Sequence, residues 1–135
     1  MKTILEKANE ILQRCDVVVL TSVNSEGFPR PVPLSKISSN GLNEIWFATG
    51  KGSVKVRDFS TNNKSGVCFY EQRNSIAMEG ITEIVSDIES KKKFWQNWFI
   101  EHFPKGVEDE NYILLKFIGK NATIWIDGEF VHTKI

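Results

Sequence analysis

The sequence predicts a mainly-β α+β fold, an antiparallel barrel with helices at a few fixed points. Three observations predict it. Six or seven apolar, β-branched or aromatic stretches are joined mostly by connections of turn length. Two stretches instead carry a helical period, one at the start and one after the fifth strand. One strand has proline at alternate positions, so only one of its edges can pair. The 135 residues fit one domain, 1–135, and 41% of them are hydrophobic. A chain of that size buries about two-thirds of the surface that its unfolded form exposes, enough for a core without staples.

At the N-terminus, Thr3-Ile4-Leu5-Glu6 is a capping box, and Ile4, Leu5, Ala8, Ile11 and Leu12 fall on one face of a helix over about 4–14. "DVVVLTSV" is a buried strand and "NSEG" at 24–27 a turn. In "FPRPVPLSKI", Pro29, Pro31 and Pro33 all remove their donors from the same edge, while Arg30, Val32 and Leu34 keep theirs on the other. "SSNG" at 38–41 turns the chain into the strand "NEIWFAT". A short helix follows Ser53, its N-cap, with Val56 and Phe59 inward. "GVCFYE" and "SIAMEGITEIVS" are strands, and Gly80 marks a bulge or a close approach in the second. Asp87 caps a helix over about 88–102, with Ile88, Trp95, Trp98 and Phe99 on one face and Lys91, Lys92 and Lys93 solvated. After a polar loop come two final strands, "YILLKFIG" and "ATIWID", with Lys120-Asn121 as the turn between them.

Composition narrows the functional classes. Seventeen basic residues balance seventeen acidic ones, which gives no footprint for a nucleic-acid polymer. The N-terminus carries charges at every turn and no apolar run approaches the ~20 residues of a membrane span, so a cytoplasmic location is expected. Cys15 and Cys68 read as separate buried thiols of a reducing compartment. His102 and His132 have no metal-ligand spacing with them, and no metal is expected. There is no nucleophile elbow. Glu108-Asp109-Glu110 reads as a solvated loop rather than a catalytic pair, so no catalytic residue is assigned.

The stretch "TGKGSVK" at 49–55 looks like a phosphate loop. It is not a nucleoside-triphosphate loop, because the glycine spacing is wrong and Lys51 is followed by Gly52 rather than Ser or Thr. It still joins a strand end to a helix start, where free N–H groups and the helix dipole favour an anion. Thr49 and Ser53 add hydroxyls and Lys55 a cation.

Gly27-Phe28-Pro29-Arg30, the set Thr49, Ser53 and Lys55, and Trp125-Ile126-Asp127, in this order and spacing, resemble the flavin-binding split barrels related to pyridoxamine 5′-phosphate oxidase, in particular the short general-stress-protein branch. The resemblance spans the chain from the first helix to about Asp127. It implies a six-stranded antiparallel split barrel with flanking helices, a homodimer, and FMN held at the dimer interface. It further implies that Arg30, Pro31, Val32, Pro33 and Leu34 run along the flavin ring, that Thr49, Ser53 and Lys55 bind its phosphate, and that Trp125 approaches the flavin, from the partner subunit if not from its own. Arg30 or Lys36 would supply positive charge near the ring.

This chain departs from the oxidase at three places. Val54 stands where the oxidase has Arg, Ser35 where it has Lys, and Phe130 where an Arg precedes the matching His132. A pyridoxamine-phosphate oxidase proper is therefore not expected. The readings left open are an FMN-dependent oxidoreductase whose substrate and electron donor the sequence does not name, a flavin-storing or stress-response protein without turnover, a haem-handling split barrel using His132, and a barrel that only mediates interactions.

Overall fold

The computed structural model describes all 135 residues. The elements are α1 (Ile4–Arg14), β1 (Val17–Val23), β2 (Pro29–Ser35), β3 (Ser38–Asn40), β4 (Glu44–Gly50), α2 (Val54–Thr61), β5 (Lys64–Glu71), β6 (Asn74–Val85), α3 (Ile88–Phe94), β7 (Tyr112–Ile126) and β8 (Glu129–Lys134), with 3-10 turns at Asn97–Glu101 and Gly106–Glu108. All strands form one antiparallel sheet in the order β2-β1-β5-β6-β7-β4-β3, with β8 added beside β7. No helix is long and apolar enough to cross a membrane.

The two ends of this sheet are neighbours in sequence. β2 and β3 are separated only by Lys36 and Ile37. The Lys36 N–H donates to the Asp16 carbonyl at the β1 end, and the next N–H, of Ile37, donates to Trp46 in β4. One bent strand thus clasps both ends and curls the sheet into a barrel. If β2 and β3 are counted as one, six strands ring the barrel. The closure is split, because β2 hydrogen-bonds to β1 along its whole length and to nothing on its other side. β2 still comes within 8 Å, Cα to Cα, of β4. The proline edge read from the sequence is that open edge.

The interior is a single apolar cluster from Val18 and Leu20 through Val67, Phe69, Ile76, Met78, Phe117 and Ile124, plugged at one end by Ala8, Ile11 and Leu12 of α1. The predicted capping box starts α1: Thr3 Oγ1 accepts from the Glu6 N–H, and the Glu6 carboxylate reaches back to accept from the Thr3 N–H. A second cluster of Trp46, Phe99, Phe103, Tyr112 and Leu114 lies outside the barrel under α3 and the aromatic turn that follows.

Several expectations are corrected. Lys120-Asn121 is no turn, because β7 runs unbroken for 15 residues. It pairs with β6 throughout and bends at a bulge, where the register slips between Glu79 and Gly80. The extra residue is Lys120 of β7, and a Cβ on Gly80 opposite would stand 2.1 Å from the Ile118 carbonyl oxygen, so glycine marks the close approach beside the bulge.

The helix expected over 88–102 ends at Phe94, and Trp95 is extended. The break lets Phe94 stack on Trp46 at 4.3 Å while Trp95 and Phe99 meet Tyr112 edge-on. One straight helix face could not reach both. Ile88 and Trp98 are exposed rather than inward.

Lys91 is buried, not solvated: its Nζ donates to the Asp109 carbonyl and lies over the Tyr112 ring. Asp109 is buried too. Its carboxylate accepts from the Asn111 and Lys105 N–H groups, which hold its pKa below the usual carboxylate range. The "EDE" loop is thus built around one structural aspartate. Finally, Cys68 is exposed and Cys15 half-buried; both are free thiols, and burial of the sulfur pushes each pKa up.

Candidate functional site

A cleft of about 440 Å³ opens at the split. Leu34 and Ser35 of β2 form one wall, Ala48, Thr49 and Gly50 of β4 the floor, and Trp98, His102 and Asn111 the far wall. Thr49 leads directly into the start of α2. Its Oγ1 donates to Ser53 Oγ at 3.1 Å, and the same Ser53 Oγ accepts from the Val56 N–H. With both acceptor positions used, the Ser53 hydroxyl hydrogen is left to donate outward. The N–H groups of Val54 and Lys55 take no partner in the chain, as the geometry of a helix start requires.

Lys55 adds the charge. It is half-buried and belongs to none of the ion pairs of the chain. Burial first, and then the nearby Arg30 charge, lower its pKa below the ordinary lysine value. Arg30 projects from β2 toward α2, where Nη1 meets Asp58 Oδ2 at 3.1 Å. Ser22 Oγ donates to that same oxygen at 2.7 Å. Burial pushes the Asp58 carboxyl up, but the hydrogen bonds from Ser22 and Arg30, with the charges of Arg30 and Arg57, outweigh it and hold the pKa low. Asp58 is therefore already neutralised by Arg30, and Lys55 remains a desolvated cation without a counter-ion. Such an arrangement of donors can accept an anion.

Lys51, which makes the loop resemble a triphosphate loop, is exposed, and its backbone is held away from the helix start. Its N–H is taken by the carbonyl and side-chain oxygens of Asn111. Lys36 is also committed: its Nζ donates to the Leu12 carbonyl at 2.6 Å, and burial lowers its pKa.

The nine candidate residues divide between two places. Arg30, Val32 and Leu34 are half-buried, and Leu34 faces the cleft with Thr49, next to Ser53 and Lys55. Pro31 and Pro33 point the other way. Pro33 and Trp125 line a second, apolar hollow of about 690 Å³ on the outer surface of the sheet. The sheet register aligns Val19, Cys68, Ala77, Thr123 and His132 in one row there and Tyr70, Ser75, Trp125 and Phe130 in the next. Tyr70, Phe130 and Trp125 are 74%, 63% and 44% exposed. His132 shares a hydrogen bond of 2.9 Å with the Thr123 hydroxyl in that row.

Sequence reading missed the Asp58–Ser22 anchor of Arg30 and the Trp98–His102–Asn111 wall. Asp58 had a signal, a carboxylate on the inner face of a short helix beside Phe59. The wall had none, because it exists only where the predicted helix breaks.

The profile of the pyridoxamine 5′-phosphate oxidase-like family matches residues 4–134. The chain belongs to that family. Solved structures of the family superpose closely on it. A Clostridium acetobutylicum protein related to general stress protein 26 of B. subtilis, of the pyridoxinephosphate oxidase family, gives a TM-score of 0.85 at 23% identity over 98% of this chain and 94% of its own. General stress protein 26 of Bacillus anthracis gives 0.78 at 27% identity over 96% and 98%. A heme binding protein from Mycobacterium smegmatis shares the fold at 0.77 and 11% identity, over 99% of this chain and 59% of its own. The comparison with curated protein sequences finds no match. Among pyridoxamine 5′-phosphate oxidase-like chains, this one thus sits beside proteins named for general stress.

Proposed function

We propose that this protein binds FMN, with the phosphate at Thr49, Ser53 and Lys55 and the ring along Arg30–Leu34, and that it is a flavin-dependent oxidoreductase. One observation carries the proposal: a half-buried lysine without a counter-ion, beside two unpartnered N–H groups and a serine hydroxyl free to donate. Those donors suit one terminal phosphate. Membership of the family supports flavin as the group that bears it.

When bound, FMN supplies the hydride chemistry, so the protein needs no nucleophile of its own. The chain's part is to fix and shield. β2 offers the ring a backbone edge of carbonyls with no competing strand, since the prolines supply no N–H there. Arg30 is paired with Asp58, so Lys55 is the cation left for the ligand. Val54 leaves the phosphate with one cation fewer than an arginine there would give, so FMN retention rests on Lys55. The apolar outer face supports a homodimer, which would bring a partner's Trp125 toward the flavin and bury Tyr70 and Phe130.

The test is the visible spectrum of the purified protein, with and without added FMN. Binding is expected to quench FMN fluorescence and raise the melting temperature. A colourless protein that does neither ends this reading. Anaerobic reduction of the loaded protein by NADH or NADPH then separates an enzyme from a flavin store.

A further inference from the structure

Trp98 is half exposed, yet it is not loose. Its Nε1–H donates to Gln96 Oε1 at 2.7 Å, and Gln96 Nε2 donates in turn to the Ile37 carbonyl at 3.3 Å. Ile37 is half of the clasp that closes the barrel. The indole also meets Phe99 edge to face at 4.6 Å and His102 at 5.9 Å. Phe99 is itself fully buried. A large aromatic held from three sides, with its surface presented to a cleft, is preorganised for a flat partner. The cleft it faces is the one floored by Thr49, whose hydroxyl bonds to Ser53.

Beside it, Asn111 has its carbonyl oxygen occupied by the Lys51 N–H, which turns the NH2 group into its available donor. Asn111 is exposed, and no protein acceptor takes that group. The cleft thus combines a fixed aromatic wall and a free amide donor, next to the anion cradle.

Resting on the flavin reading above, we infer that Trp98 is a ring-stacking residue of this site, covering the isoalloxazine from the side opposite Leu34, with the Asn111 amide donating to a ring carbonyl. Gln96 is then a positioning residue, acting through the indole.

Truncating the ligand separates the roles. FMN and riboflavin are titrated against the wild type, Trp98→Ala, Trp98→Phe, Gln96→Leu and Lys55→Ala, with flavin fluorescence and melting temperature recorded for each. Trp98→Ala is expected to weaken FMN and riboflavin by the same factor, about tenfold, as loss of one aromatic–base stack does elsewhere. Trp98→Phe should stay within about threefold and brighten the bound flavin, since phenyl stacks but quenches less. Gln96→Leu should weaken both ligands by a smaller common factor. Lys55→Ala should weaken FMN alone. If Trp98→Ala keeps its fold and both affinities stay within about twofold, the stacking assignment is wrong while the phosphate site stands. The stacking assignment fails equally if Trp98→Ala affects FMN but not riboflavin. A wild type that binds neither flavin removes the flavin reading and this inference together.

Discussion

The two sides of β2 are unfinished in opposite ways. On one side, Leu34 lines the cleft and Arg30 reaches Asp58 of α2, the helix whose start carries half-buried Lys55, two unpartnered N–H groups and a hydroxyl free to donate. On the other, Pro33 borders a sheet surface where Tyr70, Trp125 and Phe130 stand exposed. The polar side is costly because a desolvated cation lacks a counter-charge. The apolar side is costly because large rings face water, at about 25 cal/mol for each Å² left exposed. A single seven-residue strand manages both by the period of two, which sends alternate side chains to opposite surfaces. Under the proposed function the first side would take a small anion and the second a broad apolar partner. The two demands can be tested separately.

The largest expected effect is on the polar side. Lys55→Glu places a carboxylate against a phosphate in a half-buried site, and FMN affinity should fall by more than about 100-fold, corresponding to roughly 3 kcal/mol or more. Oligomeric mass should be unchanged. An equilibrium titration and a size-exclusion mass on the same sample read both, and unaltered affinity would break the site assignment.

The complementary variant is Tyr70→Glu with Phe130→Glu. Two charges at the two ends of one row on the apolar face should convert a species of twice the 15.4 kDa chain mass into one of that mass. If the wild type already elutes as a monomer, the apolar side has some other cover.

The third test probes the anchor between the sides. Asp58 is held below the ordinary carboxylate pKa, so its contribution to stability is complete above the unfolded value of about 3.9 and fades as the pH falls through the lower folded value. Asp58→Asn should therefore cost about 1–3 kcal/mol near neutrality, a gap that narrows below about pH 4. Urea midpoints across the range measure it. A gap independent of pH would mean that the carboxylate charge is not what Arg30 and Ser22 stabilise.

The smallest effect belongs to Thr49→Val. It removes one of the two hydrogen bonds that orient Ser53 and should weaken FMN by about three- to tenfold, with riboflavin untouched.

Much of this was legible because it depends on local chemistry. The capping box at Thr3 and Glu6, the Ser53 cap, the bulge at Gly80 and the one-sided proline strand each follow from the covalent properties of a few adjacent residues. So did the helix start at Ser53 next to the end of β4, which is one contiguous segment. What escaped depends on tertiary neighbours. The helix expected through Trp95 has a good period, but Trp46 and Tyr112 recruit Phe94 and Trp95 in different directions and the helix yields. Lys91 reads as solvated among three lysines until a carbonyl from the Asp109 loop arrives over it. The family resemblance named the segments proposed for the site, and the structure added what binds Arg30 and what lines the cleft with Thr49.

The clasp at Lys36 and Ile37 has a consequence for solubility. A barrel that leaves an edge unpaired invites a neighbouring chain to add a strand there. Here the exposed edge carries carbonyls but lacks N–H groups at Pro29, Pro31 and Pro33, so an intruding strand finds acceptors and almost no donors. Because two adjacent residues bond to the two ends of the sheet, the ring holds its shape without that edge being sealed. The gap can therefore stand open in every copy of the molecule without becoming a seed for aggregation.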